Sequence, residues 1–234
     1  MNEGFEQAVL ELNDPLEKRF KPDSQVRLRS LVWTLRDAPD VGLEIAHEVA
    51  ETMKQGRHMD DDPVQDMILT VQLMQACDQR SHFALESTIR YLHASGDLLA
   101  QMVNDALGLS LEESVCSLSR VLVPLSAVST WSRIAGALRR FETSAEYRYV
   151  ADATNRMKHR NAHRSTIRAR VDDTGEVDVK QGLAPFEHSA RSHDETEAAE
   201  IRANVDALQS RTAEVLDELR AALIAGDVPE RSDE

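Results

Sequence analysis

Apolar residues recur every three or four positions over most of this chain, which is the spacing of one face of an α-helix. The predicted helices cover residues 25–37, 40–55, 64 to about 107, 110–123, 126–139, 144–164 and 194–224. We expect a break near Gln79–Ser81, and Gly96 indicates close helix packing or a kink. Pro124 is expected to end the helix that Ser110 begins.

Polar residues at helix starts support several of these boundaries. Ser-x-x-Glu, Thr-x-x-Glu and Asp-x-x-Glu capping patterns begin at Ser110, Thr143 and Asp194. Asp62 before Pro63 predicts another helix start, and the run Asp60–Asp62 would neutralise its positive dipole end. The same three aspartates could also hold a hard metal ion, which is the alternative interpretation. The first 24 residues, interrupted by Pro15 and Pro22, read as a loosely attached entry segment.

The period changes from helical to alternating after Arg164. Alternation over 165–171 and 176–180 surrounds Asp-Asp-Thr-Gly, a turn sequence, and predicts a β-hairpin within about 165–187. The predicted fold is mainly α, a helical bundle with this small β-hairpin insertion before a long C-terminal helix. The predicted organisation is an N-terminal helical segment (1–62), a bundle domain (63–226) and a disordered tail (227–234).

Composition limits the classes of protein that remain. Of the 234 residues, 41% are hydrophobic, which is enough for a core. Cys77 and Cys116 lie in apolar helical contexts without metal-ligand spacing, as expected for small core residues in a reducing compartment. The sequence has no export signal and no apolar run of about 18 residues, so we expect a cytoplasmic protein without membrane spans.

The charge distribution is uneven. The net charge of −14 argues against binding to a polyanion. However, residues 133–170 contain ten Arg or Lys and three acids, a local net charge of +7, so the remainder carries −21. This segment is therefore the candidate region for phosphate or nucleic-acid binding.

Basic and imidazole side chains gather on one face of the helix predicted over 144–164. Arg156, His159, Arg160 and His163 are three, four or seven positions apart, and Asn155 lies four residues before His159. Guanidinium groups can bind phosphate oxygens, and an imidazole can take the proton of a ribose 2′-hydroxyl. Metal-free phosphodiester chemistry needs this combination.

Interpretations of the same helix without catalysis also stay open. A basic last turn also stabilises the negative end of a helix dipole, and the cations could pair with acidic residues elsewhere in the chain or dock on an acidic partner. His159 and His163 have the spacing of a zinc-binding pair, but no glutamate follows the first histidine and no cysteine is near, so neither metal nor cofactor is predicted.

The segment Asn155-Arg-Met-Lys158-His159-Arg160 resembles the Asn-x-x-Lys-His-Arg segment of bacterial HEPN-like proteins, within the superfamily of higher-eukaryote and prokaryote nucleotide-binding helical domains. The resemblance extends upstream to 91–104, downstream to Pro185-Phe186-Glu187, and covers about 65–225. It implies a nucleotide- or RNA-binding protein in a stress or defence role, often a homodimer with two basic helices over a cleft.

Active members of that superfamily are metal-independent RNases with an Arg, four to six intervening residues and a His. Thr154 stands five residues before His159, whereas Arg156 and His163 have six residues between them, so two registers stay open. The candidate catalytic residues are therefore Arg156, His159 and His163. The candidate binding residues are Asn155, Lys158, Arg160 and Arg164.

Overall fold

The computed structural model describes residues 2–19, 22–55, 63–160, 165–171 and 177–226. The α-helices are α1 (Glu3–Arg19), α2 (Pro22–Val32), α3 (Ala38–Gln55), α4 (Pro63–Leu107), α5 (Leu118–Ala127), α6 (Ser132–Thr143), α7 (Ala145–Arg160) and α8 (Ala198–Ala225). A π-helix (Trp33–Asp37) joins α2 to α3, and short 3-10 helices occupy Glu113–Val115 and Ser129–Trp131. The strands are β1 (Ser165–Val171), β2 (Val177–Leu183), β3 (Phe186–His188), β4 (Arg191–His193) and β5 (Thr196–Glu197). The predicted class, mainly α with a β insertion before a long C-terminal helix, is confirmed.

The chain divides into two compact units. Unit 1 contains Met1–Asp37, Tyr91–Val150 and Asn204–Glu234, and unit 2 contains Ala38–Arg90 and Ala151–Ala203. The helices α4, α7 and α8 each contribute residues to both units. All strands belong to unit 2.

The first helix is part of the core of unit 1. Phe5, Ala8 and Leu12 repeat at three and four positions and are almost completely buried. The expectation of a loosely attached entry segment is therefore wrong, because Pro15 lies inside α1 without ending it. In the same unit, the buried amide of Gln209 donates a hydrogen bond of 2.7 Å to the carbonyl of Leu35 in the π-helix.

The helix α4 runs without the predicted break at Gln79–Ser81. The polar residues there have tertiary partners: Ser81 Oγ lies 2.8 Å from Gln181 Oε1, and Arg80 pairs with Glu48 at 2.9 Å. Ser81 is completely buried. The sequence showed a polar interruption, but partners within unit 2 satisfy these groups, so the helix continues.

Gly96 confirms the close packing expected there. A β-carbon at Gly96 would lie 2.2 Å from Oη of Tyr147, so only glycine leaves room for the tyrosine. Both residues belong to unit 1.

Several helix boundaries in the structure differ from the predicted ones. Ser110 has a positive φ and starts no helix, and α5 begins at Leu118 and contains Pro124, which was expected to end a helix there. The cap of α7 is Ser144, not Thr143, since Ser144 Oγ accepts from the amide of Tyr147 at 3.1 Å. The last helix begins at Ala198 instead of 194 because β5 occupies the preceding residues.

The β insertion is larger than the predicted hairpin. Strands β1 and β2 pair antiparallel as expected, with Ile167 opposite Gln181, and β5 adds a third strand beside β2. The turn Asp172–Gly175 and the run Asp60–Asp62 lie outside the described residues. A second antiparallel pair, β3 with β4, follows and was not predicted.

The variant Gly42→Ala should destabilise the protein by roughly 1–3 kcal/mol. A β-carbon at Gly42 in α3 would lie 2.1 Å from Thr88 Oγ1 and 2.9 Å from the carbonyl oxygen of Ala84, so α3 would have to move away from α4. The free energy of unfolding, measured by urea denaturation, checks this.

The matched control is Gly136→Ala in α6, where the nearest atom to the new β-carbon is 3.5 Å away at the end of Arg140. This variant should be neutral or gain up to about 1 kcal/mol from helix propensity. Equal effects of the two substitutions would contradict the close approach of α3 and α4.

Candidate functional site

Charged contacts join the second half of α7 to the β3–β4 hairpin in unit 2. Asp152 and Arg156 lie four residues apart, so they share one face of α7. On β4, Arg191 and His193 are two positions apart, so both side chains lie on the same side of the strand. These four residues and Phe186 make up the α7–hairpin site.

The carboxylate of Asp152 is the centre of this site. Its side chain is only 3% exposed. Arg191 binds it with two nitrogens, Nε to Oδ2 and Nη2 to Oδ1, each at 2.6 Å. Nε2 of His193 lies 2.9 Å from Oδ2. A bidentate guanidinium and an imidazole together compensate a charge that burial alone would make costly.

The same contacts decide the protonation of the carboxyl group. Burial by itself would raise the pKa of Asp152, but the hydrogen bonds from Arg191 and His193 outweigh burial, so the pKa lies below its ordinary value. The bond to Asp152 in turn raises the pKa of Arg191. Asp152 is therefore ionised at neutral pH and holds the guanidinium in place.

The side chain of Arg156 contacts a backbone carbonyl and an aromatic ring of the hairpin. Its guanidinium carbon lies 5.8 Å from the centroid of Phe186, and its Nη1 donates a long hydrogen bond of 3.4 Å to the carbonyl of Glu187. Phe186 also stacks on His193, with centroids 4.4 Å apart and planes at 23°. Arg156, Phe186, His193 and Asp152 are thus linked in one chain of contacts.

The turn between β3 and β4 requires an unusual backbone. Ser189 and Ala190 have φ of 47° and 64°, as the two central residues of a type I′ turn do. Alanine has neither the freedom of glycine nor a polar side chain to support this region, so Ala190 stores backbone strain. The turn nevertheless sets the register that places Arg191 opposite His188.

Arg156 is the one predicted catalytic residue whose side chain the structure describes, and it lies in this group of contacts. Arg156 is half-buried within it, whereas Lys158 is exposed and Asn155 half-buried without a described link to the hairpin. His159 and Arg160 belong to α7, but their side chains lie outside the described part of the chain, as do all atoms of His163 and Arg164. The choice between the two motif registers therefore remains a prediction.

The basic excess of residues 133–170 is partly cancelled by ion pairs. Arg133 pairs with Glu218, Arg140 with Glu214 and Arg168 with Glu195. Among the described side chains, neither Arg156 nor Lys158 has a carboxylate partner within 4.0 Å. The uncompensated charge is therefore smaller than the sequence count, and Arg156 and Lys158 contribute to it.

The sequence did not point to Asp152, Arg191 or His193 as site residues, and Phe186 was named only within the resemblance. Asp152 was counted only as an acid within a basic helix, and the second hairpin was missed because its turn, Ser189-Ala190, contains no Gly or Asn. The alternation of Arg191 and His193 was the available signal. Three residues are too short a run to establish a strand without the partner strand.

Chemically, the site offers cations held by a buried anion. The side chain of Arg191 is 50% exposed although its Nε and Nη2 bind Asp152. A guanidinium has five N–H donors, so donors remain on Arg191 for a ligand oxygen. Together with Arg156, the site suits a phosphate group or another compact anion.

In the described ranges, no three His, Cys, Asp or Glu side chains are grouped closely enough to hold a metal ion. No described helix combines the length and the apolar character that crossing a membrane requires. No protein-family model, curated protein or solved structure matches the chain.

The variant Asp152→Asn should lower the free energy of unfolding by roughly 1–3 kcal/mol near neutral pH, because the charge shared by Arg191 and His193 is lost. Since the folded pKa of Asp152 is depressed, its contribution is complete above the unfolded pKa of about 3.9. The contribution disappears as the pH falls through the lower folded pKa. Urea denaturation of both proteins over a pH series measures this.

Asp178→Asn on the exposed surface of β2 is the matched control and should change stability little at any pH. A difference between wild type and Asp152→Asn that stayed constant throughout the acid range would contradict the proposed role of the ionised carboxylate.

Proposed function

We propose that this chain binds the phosphates of RNA or of a nucleotide at the α7–hairpin site. The observation that carries the proposal is the buried Asp152 carboxylate, which holds Arg191 and His193 beside the face of α7 that bears Arg156. Cations fixed in advance bind an anion with less loss of side-chain freedom than mobile surface cations do.

The balance of charge supports an anionic ligand. The site contains one carboxylate, Asp152, against the two guanidinium groups of Arg191 and Arg156, with His193 beside them. It therefore has at least one positive charge in excess within a chain of net charge −14. The exposed Lys158 extends this charge along α7. Such a local excess can attract a phosphate although the molecule as a whole is acidic.

Membership of the HEPN-like superfamily is part of the proposal. It rests on Asn155, Lys158, His159 and Arg160 and on the mainly helical fold with its β insertion. A cytoplasmic stress or defence role and assembly as a homodimer would follow from membership.

The binding of a fluorescent single-stranded oligouridylate tests the proposed function. Affinity should fall steeply with salt, and Arg191→Gln or Arg156→Gln should weaken binding about threefold to tenfold and reduce the salt slope by about one. Arg133→Gln is the control, because it removes an exposed cation from unit 1 that pairs with Glu218. Thermal unfolding of each variant separates lost binding from lost folding.

Polyglutamate as a competitor separates RNA binding from docking on an acidic protein. Equal competition by polyglutamate and RNA at matched charge would favour the basic helix as a docking surface for an acidic partner. RNA binding that is unaffected by Arg191→Gln and Arg156→Gln would place the binding surface elsewhere.

The second proposed function is metal-independent cleavage of the bound RNA. The observation that favours it is the contact of His193 with Asp152, since a carboxylate fixes the orientation of an imidazole for proton transfer. One imidazole would take the proton of the 2′-hydroxyl, whose oxygen attacks phosphorus. A second imidazole, from His159 or His163, would give a proton to the departing 5′-oxygen, leaving a 2′,3′-cyclic phosphate.

Cleavage of a labelled RNA should persist in EDTA and fall about 10²- to 10⁴-fold with His193→Gln. Comparison of His159→Gln with His163→Gln would identify the partner histidine and hence the register of the motif. His47→Gln in α3, outside the site, is the control. Activity that EDTA abolishes, or that survives His193→Gln, would contradict the mechanism.

A further inference from the structure

A concave surface lies on unit 1, between α1, α2 and the π-helix. The groove has a volume of about 1030 Å³, and its apolar walls include Val9, Leu10, Val26, Val32 and Trp33. Leu10, Val26 and Trp33 are 69%, 59% and 47% exposed. Clustered large apolar side chains in contact with water commonly mark a binding surface.

Residues behind the groove fix the position of its Trp33 wall. The indole of Trp33 packs edge-on against Tyr91, with ring centroids 4.8 Å apart and planes at 83°. The next residues of the π-helix, Thr34 and Leu35, are buried, and Gln209 binds the carbonyl of Leu35. Trp33 is therefore half exposed yet fixed, which is the property of a preformed pocket wall.

Arg29 places a positive charge at the border of the apolar walls. Arg36 and Asp37 both line the groove, but Arg36 pairs with Asp37 at 2.7 Å and with Glu6 at 3.5 Å. Arg29 lies three residues after Val26 and four before Trp33, is exposed and lines the same groove. Among the described side chains it has no carboxylate partner. Among the residues that the structure describes, the groove thus combines an apolar body with one cation, Arg29, that no carboxylate opposes.

We propose that this groove binds a small amphipathic anion of the class of medium-chain carboxylates, with its apolar chain along Leu10, Val26 and Trp33 and its head on Arg29. The head group is expected to be negative because Arg29 carries a positive charge. The volume is at the upper end of small-molecule pockets, about 300–1,000 Å³. Val26 to Trp33 spans only about 10 Å of helix, whereas a stable protein interface engages about 20–30 residues on each side.

Three probes with one alkyl chain test the proposal: decanoate, decanol and decyltrimethylammonium, each below its micelle concentration. The readout is the fluorescence of Trp33 in a Trp131→Phe background, where Trp33 is the sole tryptophan. Saturable binding is expected in the order decanoate, decanol, decyltrimethylammonium. Because Trp131 is buried and its replacement could disturb folding, calorimetric titration of the unaltered chain repeats the comparison.

Variants separate the head group from the chain. Arg29→Gln should weaken decanoate binding about threefold to tenfold and leave decanol unchanged. Leu10→Asp should weaken both by about tenfold or more, because it puts a charge into the apolar wall. Arg120→Gln, an exposed cation of unit 1 that does not line the groove, is the control.

Equal affinities for the three head groups, or no saturable change at Trp33, would overturn the proposal. So would sedimentation showing that Leu10→Asp converts a dimer into a monomer, because a second copy would then cover the groove. None of these results depends on RNA binding at the α7–hairpin site.

Discussion

The α7–hairpin site depends on one buried carboxylate. Asp152 lies on α7 with two partners from β4, Arg191 and His193, and removal of Asp152 would take away the carboxylate that both contact. A buried charge is tolerated only when it is paired and hydrogen-bonded. The contact therefore orders a short hairpin whose strained turn and three-residue strands would be marginal alone. The position of Arg191, the cation best placed for a ligand, follows from this contact.

The electrostatics of the molecule are decided by pairing more than by composition. Three cations of the basic region, Arg133, Arg140 and Arg168, are opposed by glutamates of their own units. Arg156 is instead directed to a ring and a backbone carbonyl, which leaves its charge uncompensated among the described residues. A ligand responds to the charge that remains after internal pairing. Both proposed sites, on α7 and at Arg29, share this property, although one is polar and the other mostly apolar.

The periodicity of apolar residues predicted the helical class, the hairpin of β1 and β2 and the long last helix because these features depend on local spacing. It failed where distant residues provide hydrogen-bond partners. Ser81 looked like a helix break and is satisfied by Gln181, which is one hundred residues away in the chain. Ser110 and Thr143 looked like helix caps, and the geometry gives that role to Ser144 alone among the three. The predicted hairpin ended too early since Ser189 and Ala190 form a turn that glycine-based rules do not detect.

By itself the sequence determined the mainly α class, the place of the β insertion and the basic character of α7, since each is encoded by residues close together in the chain. The sequence also identified Arg156 as a candidate site residue. Only the tertiary structure decided that Asp152, Arg191 and His193 meet, because they lie on two elements about forty residues apart. The tertiary structure likewise joined Leu10 to Val26 and Trp33 in one groove. Contacts between residues far apart in the chain depend on how helices and strands pack, and local residue patterns do not specify that packing.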